Sequence, residues 1–486
     1  MKHRLFSDLE KRGESDLLVL PFWEGGKEAA SIGALKGKVA AALKTGDFKG
    51  KKGELMVVYW EGEKEPRALL LGLGKAGDAT PESMRRAAAS AVRWAQGKKV
   101  KSANFIVPKT AVEAFFEGIL LANYAFAELK GTSLKENPMV LLDSVGLVGV
   151  EKSDESVLEK LTTIGEGVFF ARDLVNGNAD DITPKKLAET AQALAKRSSR
   201  LKATIFDKKK LEQEGMGLIL AVNRGSSTDP YLIQLAYHGD PKSKEHIVLV
   251  GKGITYDTGG LSLKPTDNMM TMKCDMSGAA AVLGAVRVAE ALGLKVNVTA
   301  VVPSTENSID GKSYKLGDVY RAYNGKTVEI NNTDAEGRLI LADAMSYAAK
   351  HLKPTCMIDI ATLTGSVVIG LGEEIAGLFS PNDRLAKDLL EASEKTAELL
   401  WRLPVHGDYR DSLKSDIADL LNTGPGRDAG AIKATLFLQE FVGDVPWAHI
   451  DAAGPCFLTK PKHYHTTKAT GYGVRLFIQF LEQRSS

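Results

Sequence analysis

An α/β architecture is predicted for this chain, with a central, largely parallel sheet covered by helices in its C-terminal part and a smaller α/β domain ahead of it. Three observations predict it. The 486 residues exceed the usual size of one domain, so at least two are expected. Short apolar runs alternate with stretches of helical periodicity along most of the chain, which is the pattern of successive βα units. Finally, Ile247-Val248-Leu249-Val250-Gly251 is apolar at consecutive positions rather than at alternate ones, as in a strand buried on both faces.

Residues 1–150 are expected to form the N-terminal α/β domain, with strands at Leu17 to Pro21, Leu55 to Tyr59, Ala68 to Leu73 and Asn104 to Val107. A helix is predicted from Pro81 to Trp94. Thr80 is its N-cap, proline takes the first helical position, and Glu82 adds an acid to the first turn. The polar stretch Glu151-Lys152-Ser153-Asp154-Glu155-Ser156 marks a boundary, and a helical pattern from Val157 to Val175 makes 151–180 a connecting segment. Residues 181–486 open with Asp181-Ile182-Thr183-Pro184, a second cap-plus-proline start, for a helix running to Lys196. Further strands are expected at Val296 to Val302, Cys356 to Ile360 and Trp447 to Ile450, and a helix over Ala279 to Leu292 stops at Gly293.

Composition narrows the class. A hydrophobic share of 44% with 26% charged residues excludes disordered and fibrous chains and permits a large core. No run approaches the roughly 20 apolar residues that span a bilayer, and the start Met1-Lys2-His3-Arg4-Leu5-Phe6 lacks the apolar stretch of a signal peptide, so no membrane association and a cytoplasmic location are expected. Cys274, Cys356 and Cys456 form no Cys-x-x-Cys pair, which argues against a disulfide framework or a zinc-thiolate site. The net charge of +2 conceals a basic first domain, where 23 Lys and Arg face 18 Asp and Glu over residues 1–150. Arg85, Arg86, Arg93, Lys98, Lys99 and Lys101 could attract nucleic-acid phosphate, although a solvated surface is the expected reading.

Two polar clusters carry the chemistry. Asn332-Thr333-Asp334-Ala335-Glu336-Gly337-Arg338-Leu339 places two carboxylates and a guanidinium between an extended segment, Val328 to Ile330, and a helical pattern from Leu339 to Ala349. Taken alone, the acids could simply favour the positive end of that helix. The second cluster follows the strand Ile247 to Gly251: Lys252, Asp257-Thr258-Gly259-Gly260, Lys264 and Asp275. In open α/β sheets, ligands bind at the carboxyl ends of strands. If Asp257, Asp275, Asp334 and Glu336 converge, four carboxylates repel one another unless cations are present. Two divalent ions balance that charge, at the separation of about 3.5–4 Å found in two-metal hydrolytic sites. Ligand type leaves Mg, Mn, Co and Zn open.

The strings Val250 to Gly260, Leu261-Ser262-Leu263-Lys264-Pro265, Met272-Lys273-Cys274-Asp275-Met276 and Asn332 to Leu339 closely resemble the leucyl aminopeptidase family of dinuclear metallopeptidases. Ala361-Thr362-Leu363-Thr364-Gly365 and Trp447-Ala448-His449-Ile450-Asp451 extend the likeness over most of residues 170–480, whereas residues 1–150 resemble the family's variable, macro-domain-like N-terminal domain only loosely. The resemblance implies that Lys252, Asp257, Asp275, Asp334 and Glu336 bind two metals, Mn or Zn foremost, with Asp257 and Glu336 bridging. It implies catalytic roles for Lys264 and for Arg338, the latter as the seat of a proton-shuttling bicarbonate. Met272, Asn332, Thr362, Leu363, Gly365, Ala453 and Cys456 would surround the first residue of a peptide with a free N-terminus, in an apolar pocket suited to leucine. Cys456 stands where the family varies. A homohexamer is implied, and DNA is a further possible partner because some members bind it.

Overall fold

A computed structural model describes residues 1–485, which divide into two compact units: residues 1–166 with 459–468, and residues 167–458 with 469–485. The sequence places a boundary at 150 and a connecting segment over 151–180; the division falls inside the helix Glu155–Asn176.

The first unit is built on a sheet ordered Lys2–Phe6, Ser144–Val148, Ser102–Ile106, Leu17–Trp23, Arg67–Gly74, Leu55–Tyr59. Its neighbours are parallel except at the Leu55–Tyr59 edge. Leu17 to Phe22 are all buried, as a central strand requires. Three strands escape the sequence reading: Lys2–Phe6, Ser144–Val148 and the short Lys27–Glu28, which pairs with Leu17–Trp23. Lys2–Phe6 is a polar edge strand recognisable only by its pairing with Ser144–Val148, from Lys2 opposite Ser144 to Phe6 opposite Val148. The helix predicted from Pro81 runs to Gly97, and Thr80 and Ser83 form a reciprocal cap: Ser83 N–H donates to Thr80 Oγ1 at 3.1 Å and Thr80 N–H to Ser83 Oγ at 2.9 Å.

The basic cluster is solvated in its larger part, as expected: Arg93, Lys98, Lys99 and Lys101 are exposed, whereas Arg85 is buried and Arg86 half-buried. Arg85 is buried against Glu117, and Arg86 lies 2.7 Å from Glu82 Oε1. A buried guanidinium is costly without a carboxylate partner, so Arg85 neutralises Glu117 rather than facing solvent. A DNA-binding reading therefore has fewer free charges to draw on.

His463, in the 459–468 segment of this unit, gives a pH prediction. Burial, reinforced by Arg86, Lys462 and Arg93, holds its imidazole down at about 4, against about 6.5 in an unfolded chain. A depressed pKa contributes stability that is present above pH 6.5 and lost as the pH falls towards 4. Thermal scans from pH 7 to pH 4 are expected to show a smaller loss of Tm for His463→Asn than for the unsubstituted protein. Asparagine suits the positive φ of 53° at this position.

The second unit carries a nine-stranded sheet ordered Leu400–Arg402, Ala376–Phe379, Trp447–Asp451, Cys356–Ala361, Ile247–Gly251, Asn297–Asn307, Tyr231–His238, Leu201–Phe206, with Gly253–Asp257 paired to the far end of Asn297–Asn307. The four strands from Trp447–Asp451 to Asn297–Asn307 are parallel, and antiparallel strands flank them, so the predicted largely parallel sheet is present. Thr183 caps the helix Pro184–Ala195, as its sequence predicts. Asn297–Asn307 continues five residues past the predicted end at Val302, because its polar tail Ser304 to Asn307 pairs with Gly253–Asp257. That extension brings Asn307 beside Asp257.

The helix Ser277–Ala291 crosses the sheet at very short range. A Cβ on Gly278 would lie 2.2 Å from Ile360 O and 2.9 Å from Lys252 N. Gly278→Ala is expected to lower stability to denaturant by about 1–3 kcal/mol despite alanine's better helix propensity, since backbone atoms cannot yield as a side chain can. An unchanged urea midpoint would show that the contact relaxes freely.

Candidate functional site

The site lies where strand ends of the second unit converge. Lys252 follows Ile247–Gly251, Asp257 ends Gly253–Asp257, and Asp275 lies just before the helix Ser277–Ala291. Asp334 and Glu336 precede the helix Gly337–His351. Glu336, at the N-cap of that helix, makes no capping bond with its side chain, and its carboxylate lies 2.8 Å from Lys252 Nζ instead.

Hydrogen bonds join the two sequence clusters. Thr333 Oγ1 donates to Gly259 O at 2.7 Å and accepts from Ser262 N–H at 2.7 Å. Asn307 Nδ2 donates to Asp257 Oδ1 at 2.8 Å and to Thr333 O at 3.0 Å, and Tyr314 OH donates to the same carbonyl at 2.7 Å. Gly259 and Gly260 turn with φ of 87° and 63°, conformations in which other residues are strained. Asn422 steadies the other side: its Nδ2 donates to Asn332 O at 2.7 Å, and its own carbonyl accepts from Arg338 at 3.0 Å.

These contacts bring four carboxylates and two lysines together. Carboxylate oxygens of Asp257, Asp334 and Glu336 lie within 4.8 Å of one another. Lys252 Nζ is 2.8 Å from Asp275 and from Glu336 Oε1, and 3.0 Å from Thr362 O. Lys264 Nζ lies 2.9 Å from Asp257 Oδ2 and 2.5 Å from Asp334 Oδ1. Gly337 makes room for Lys252: a Cβ there would sit 2.6 Å from its Cε and 2.7 Å from its Nζ.

The electrostatics report excess negative charge. Burial and Glu336 push Asp257 above the ordinary carboxylate range, against the pull of Lys264 and Lys252. Burial raises Asp275 strongly, with Glu336 and Asp257 adding to it against Lys252. Asp334 is raised by burial and by Asp257, against Lys264. Burial disfavours the charged form of Lys252, yet Asp275, Glu336 and Asp257 together lift it above its usual value. Glu336 Oε2 is buried and has no hydrogen-bond partner, although such atoms are normally satisfied. An oxygen-rich set with an orphaned carboxylate oxygen and surplus negative charge fits divalent cations. Arg338 is buried with its pKa lowered to about 10, chiefly by desolvation, so it stays charged near neutrality; its Nε makes no hydrogen bond.

The expected pocket residues are only partly gathered by hydrogen bonding. Thr362 Oγ1 donates to Asp275 Oδ1 at 2.7 Å, and Leu363 and Ala453 both donate backbone N–H groups to Asp451 Oδ1. Cys456 is buried; burial, with Cys274 and Glu398 nearby, holds its thiol neutral and well above the ordinary range. Gly365 is exposed at the start of the helix Gly365–Leu371, and Met272 is half-buried three residues before Asp275. Asn332 uses its side-chain oxygen on Asp334 N–H at 2.9 Å. Asn307, Tyr314, Asn422 and Asp451 were not singled out from the sequence. Asn307 and Asp451 end parallel strands, a position that could have flagged them; nothing local marks Asn422.

The chain matches a family model described as the cytosol aminopeptidase family, catalytic domain, over residues 169–478, and the same family's N-terminal domain over residues 19–133. It is 49% identical to a probable cytosol aminopeptidase of Protochlamydia amoebophila, covering 100% of this chain and 99% of that protein. With the probable cytosol aminopeptidase of Chlamydia abortus it shares 47% identity, over 97% of each. Among solved structures it is similar to the bottromycin maturation enzyme BotP in complex with Mn, with a TM-score of 0.86 and 33% identity, covering 97% of this chain and 100% of that one.

Proposed function

Because the chain belongs to the cytosol aminopeptidase family, and is therefore a metal-dependent exopeptidase, we propose that it removes leucine and other apolar residues from peptide N-termini at a two-metal centre held by Lys252, Asp257, Asp275, Asp334 and Glu336. One observation carries this reading: three carboxylates within 4.8 Å of one another, one with an unpartnered buried oxygen. When bound, two divalent ions, Mn or Zn foremost and Mg or Co as alternatives, supply Lewis acidity toward the scissile carbonyl and acidify water.

The remaining work falls to the chain itself. Lys252 ligates only as a neutral amine, so it gives up its proton as the site fills. Lys264, already aimed between Asp257 and Asp334, donates toward the carbonyl oxygen as negative charge develops there. Arg338, charged and with Nε unengaged, holds bicarbonate in the bidentate manner a guanidinium favours, at the place where the proton passes to the leaving amine. Met272, Asn332, Thr362, Leu363, Gly365, Ala453 and Cys456 surround the substrate's first side chain. The acidic centre selects the free α-amine, which confines cleavage to chain ends.

We further propose a cytoplasmic homohexamer. In its support, no helix among the described residues is long and apolar enough to cross a membrane, and Ile369, Trp401 and Ile417 expose apolar side chains of the kind that assembly covers. The deciding experiment compares Leu-anilide with N-acetyl-Leu-anilide, after metal removal and after adding back Mn or Zn. Turnover of the free-amine substrate alone, restored by metal, is expected. Comparable cleavage of the acetylated substrate would sink the amine-recognition mechanism, and light scattering at other than six chains would remove the hexamer.

A further inference from the structure

Asp451 ends the strand Trp447–Asp451, opposite Ala361 of the neighbouring strand, and is fully buried. Its carboxylate makes no contact with the acidic centre. Instead, Oδ1 accepts the backbone N–H groups of Leu363 at 3.1 Å, Thr364 at 3.4 Å and Ala453 at 3.3 Å, while Oδ2 accepts Thr364 Oγ1 at 2.7 Å. One side chain thus joins two segments, 363–364 and 453, and the pocket reading places Leu363 and Ala453 of these segments around the substrate's first residue.

The same loop has a second anchor. Thr362, one residue before Leu363, holds Lys252 through its carbonyl and Asp275 through its hydroxyl. The loop is therefore pinned to the acidic centre at Thr362 and to Asp451 at Leu363 and Thr364. Thr364 also caps the helix Gly365–Leu371 by accepting Val367 N–H at 3.2 Å, so the grip of Asp451 passes to the start of that helix. Releasing the second anchor leaves the first in place. A buried carboxylate that takes four donors in a loop lining a site holds geometry that water could not supply in its stead.

We propose that Asp451 is a positioning residue for specificity, fixing the distance between the Leu363–Thr364 and Ala453 walls of the pocket and hence the size of the first side chain accepted. The inference rests on the aminopeptidase reading of the site. In Asp451→Ala, three N–H groups and a hydroxyl lose their acceptor and the walls separate, while Lys252, Asp275 and Thr362 keep their mutual bonds.

The test measures KM and kcat on Leu-, Met- and Ala-anilides, metal content per chain, and calorimetric binding of an α-aminophosphonate analogue of leucine. For Asp451→Ala, KM for Leu-anilide should rise at least about tenfold and preference for Leu over Ala should fall at least about fivefold. Analogue binding should weaken in step, and metal content should match the unsubstituted protein. Asp451→Asn, whose amide oxygen still accepts the N–H groups, should restore KM to within about threefold. If Asp451→Ala does not fold, Thr364→Val, which removes only the hydroxyl, should raise KM about threefold without metal loss. Unchanged KM and selectivity in Asp451→Ala, or in Thr364→Val where Asp451→Ala does not fold, or metal loss matching the loss of activity, would overturn the proposal. Failure of the unsubstituted protein to distinguish Leu-anilide from its N-acetyl form would instead overturn the underlying reading.

Discussion

Asp334→Ala is expected to lower kcat by at least about a thousandfold, the several kcal/mol of transition-state stabilisation that a divalent ion supplies, while the metal content falls below two ions per chain. The residue belongs to the group of three carboxylates within 4.8 Å, so its loss opens one side of the cage. The fold should survive. The Asp334 carboxylate is only half-buried and faces Lys264, and its backbone N–H stays bonded to Asn332 Oδ1. Removing one of several crowded acids also relieves repulsion, so the metal-free variant should melt no lower than the metal-free unsubstituted protein. Elemental analysis paired with steady-state kinetics checks the result; two ions per chain with activity within tenfold of normal would remove Asp334 from the ligand set.

Lys264→Ala should separate binding from chemistry. Its ammonium lies between Asp257 and Asp334 and competes with cations for the same oxygens. Without it the centre is more negative, so ions should bind at least as tightly. Activity should nevertheless fall by about 100- to 1,000-fold in kcat, the usual cost of losing a donor aimed at a developing oxyanion. Loss in KM alone would assign Lys264 to ground-state binding. Loss of metal together with activity would make it a support of the ligand cage instead.

The site's residues show what the sequence could and could not disclose. Lys252, Asp257, Lys264 and Asp275 follow one buried strand, and Asp334, Glu336 and Arg338 lie within five residues, so both clusters were visible as strings. The parallel sheet was visible too, because strands such as Ile247–Gly251 are apolar at nearly every position. Lys2–Phe6 was hidden because an edge strand need not be apolar, and its identity resides in a partner about 140 residues away. Asn307, Asn422 and Asp451 were hidden for a related reason. Their roles consist of hydrogen bonds to distant backbone groups, and Asn or Asp in an isolated string looks the same whether it faces water or supports a site. Arg85 misled in the opposite direction, since a basic string gives no sign that Glu117 awaits one of its members.

Gly337 gives the acidic turn a different meaning from that of its neighbours. Asp334 and Glu336 matter for the atoms they bring, but Gly337 matters for the single carbon it lacks, since that carbon would overlap the end of Lys252. At this position even one methyl group arrives where the buried Lys252 side chain passes. The string around Asp334 and Glu336 is thus part chemistry and part clearance, and a relative that retained every charged residue but carried alanine at this position would have to move the end of Lys252.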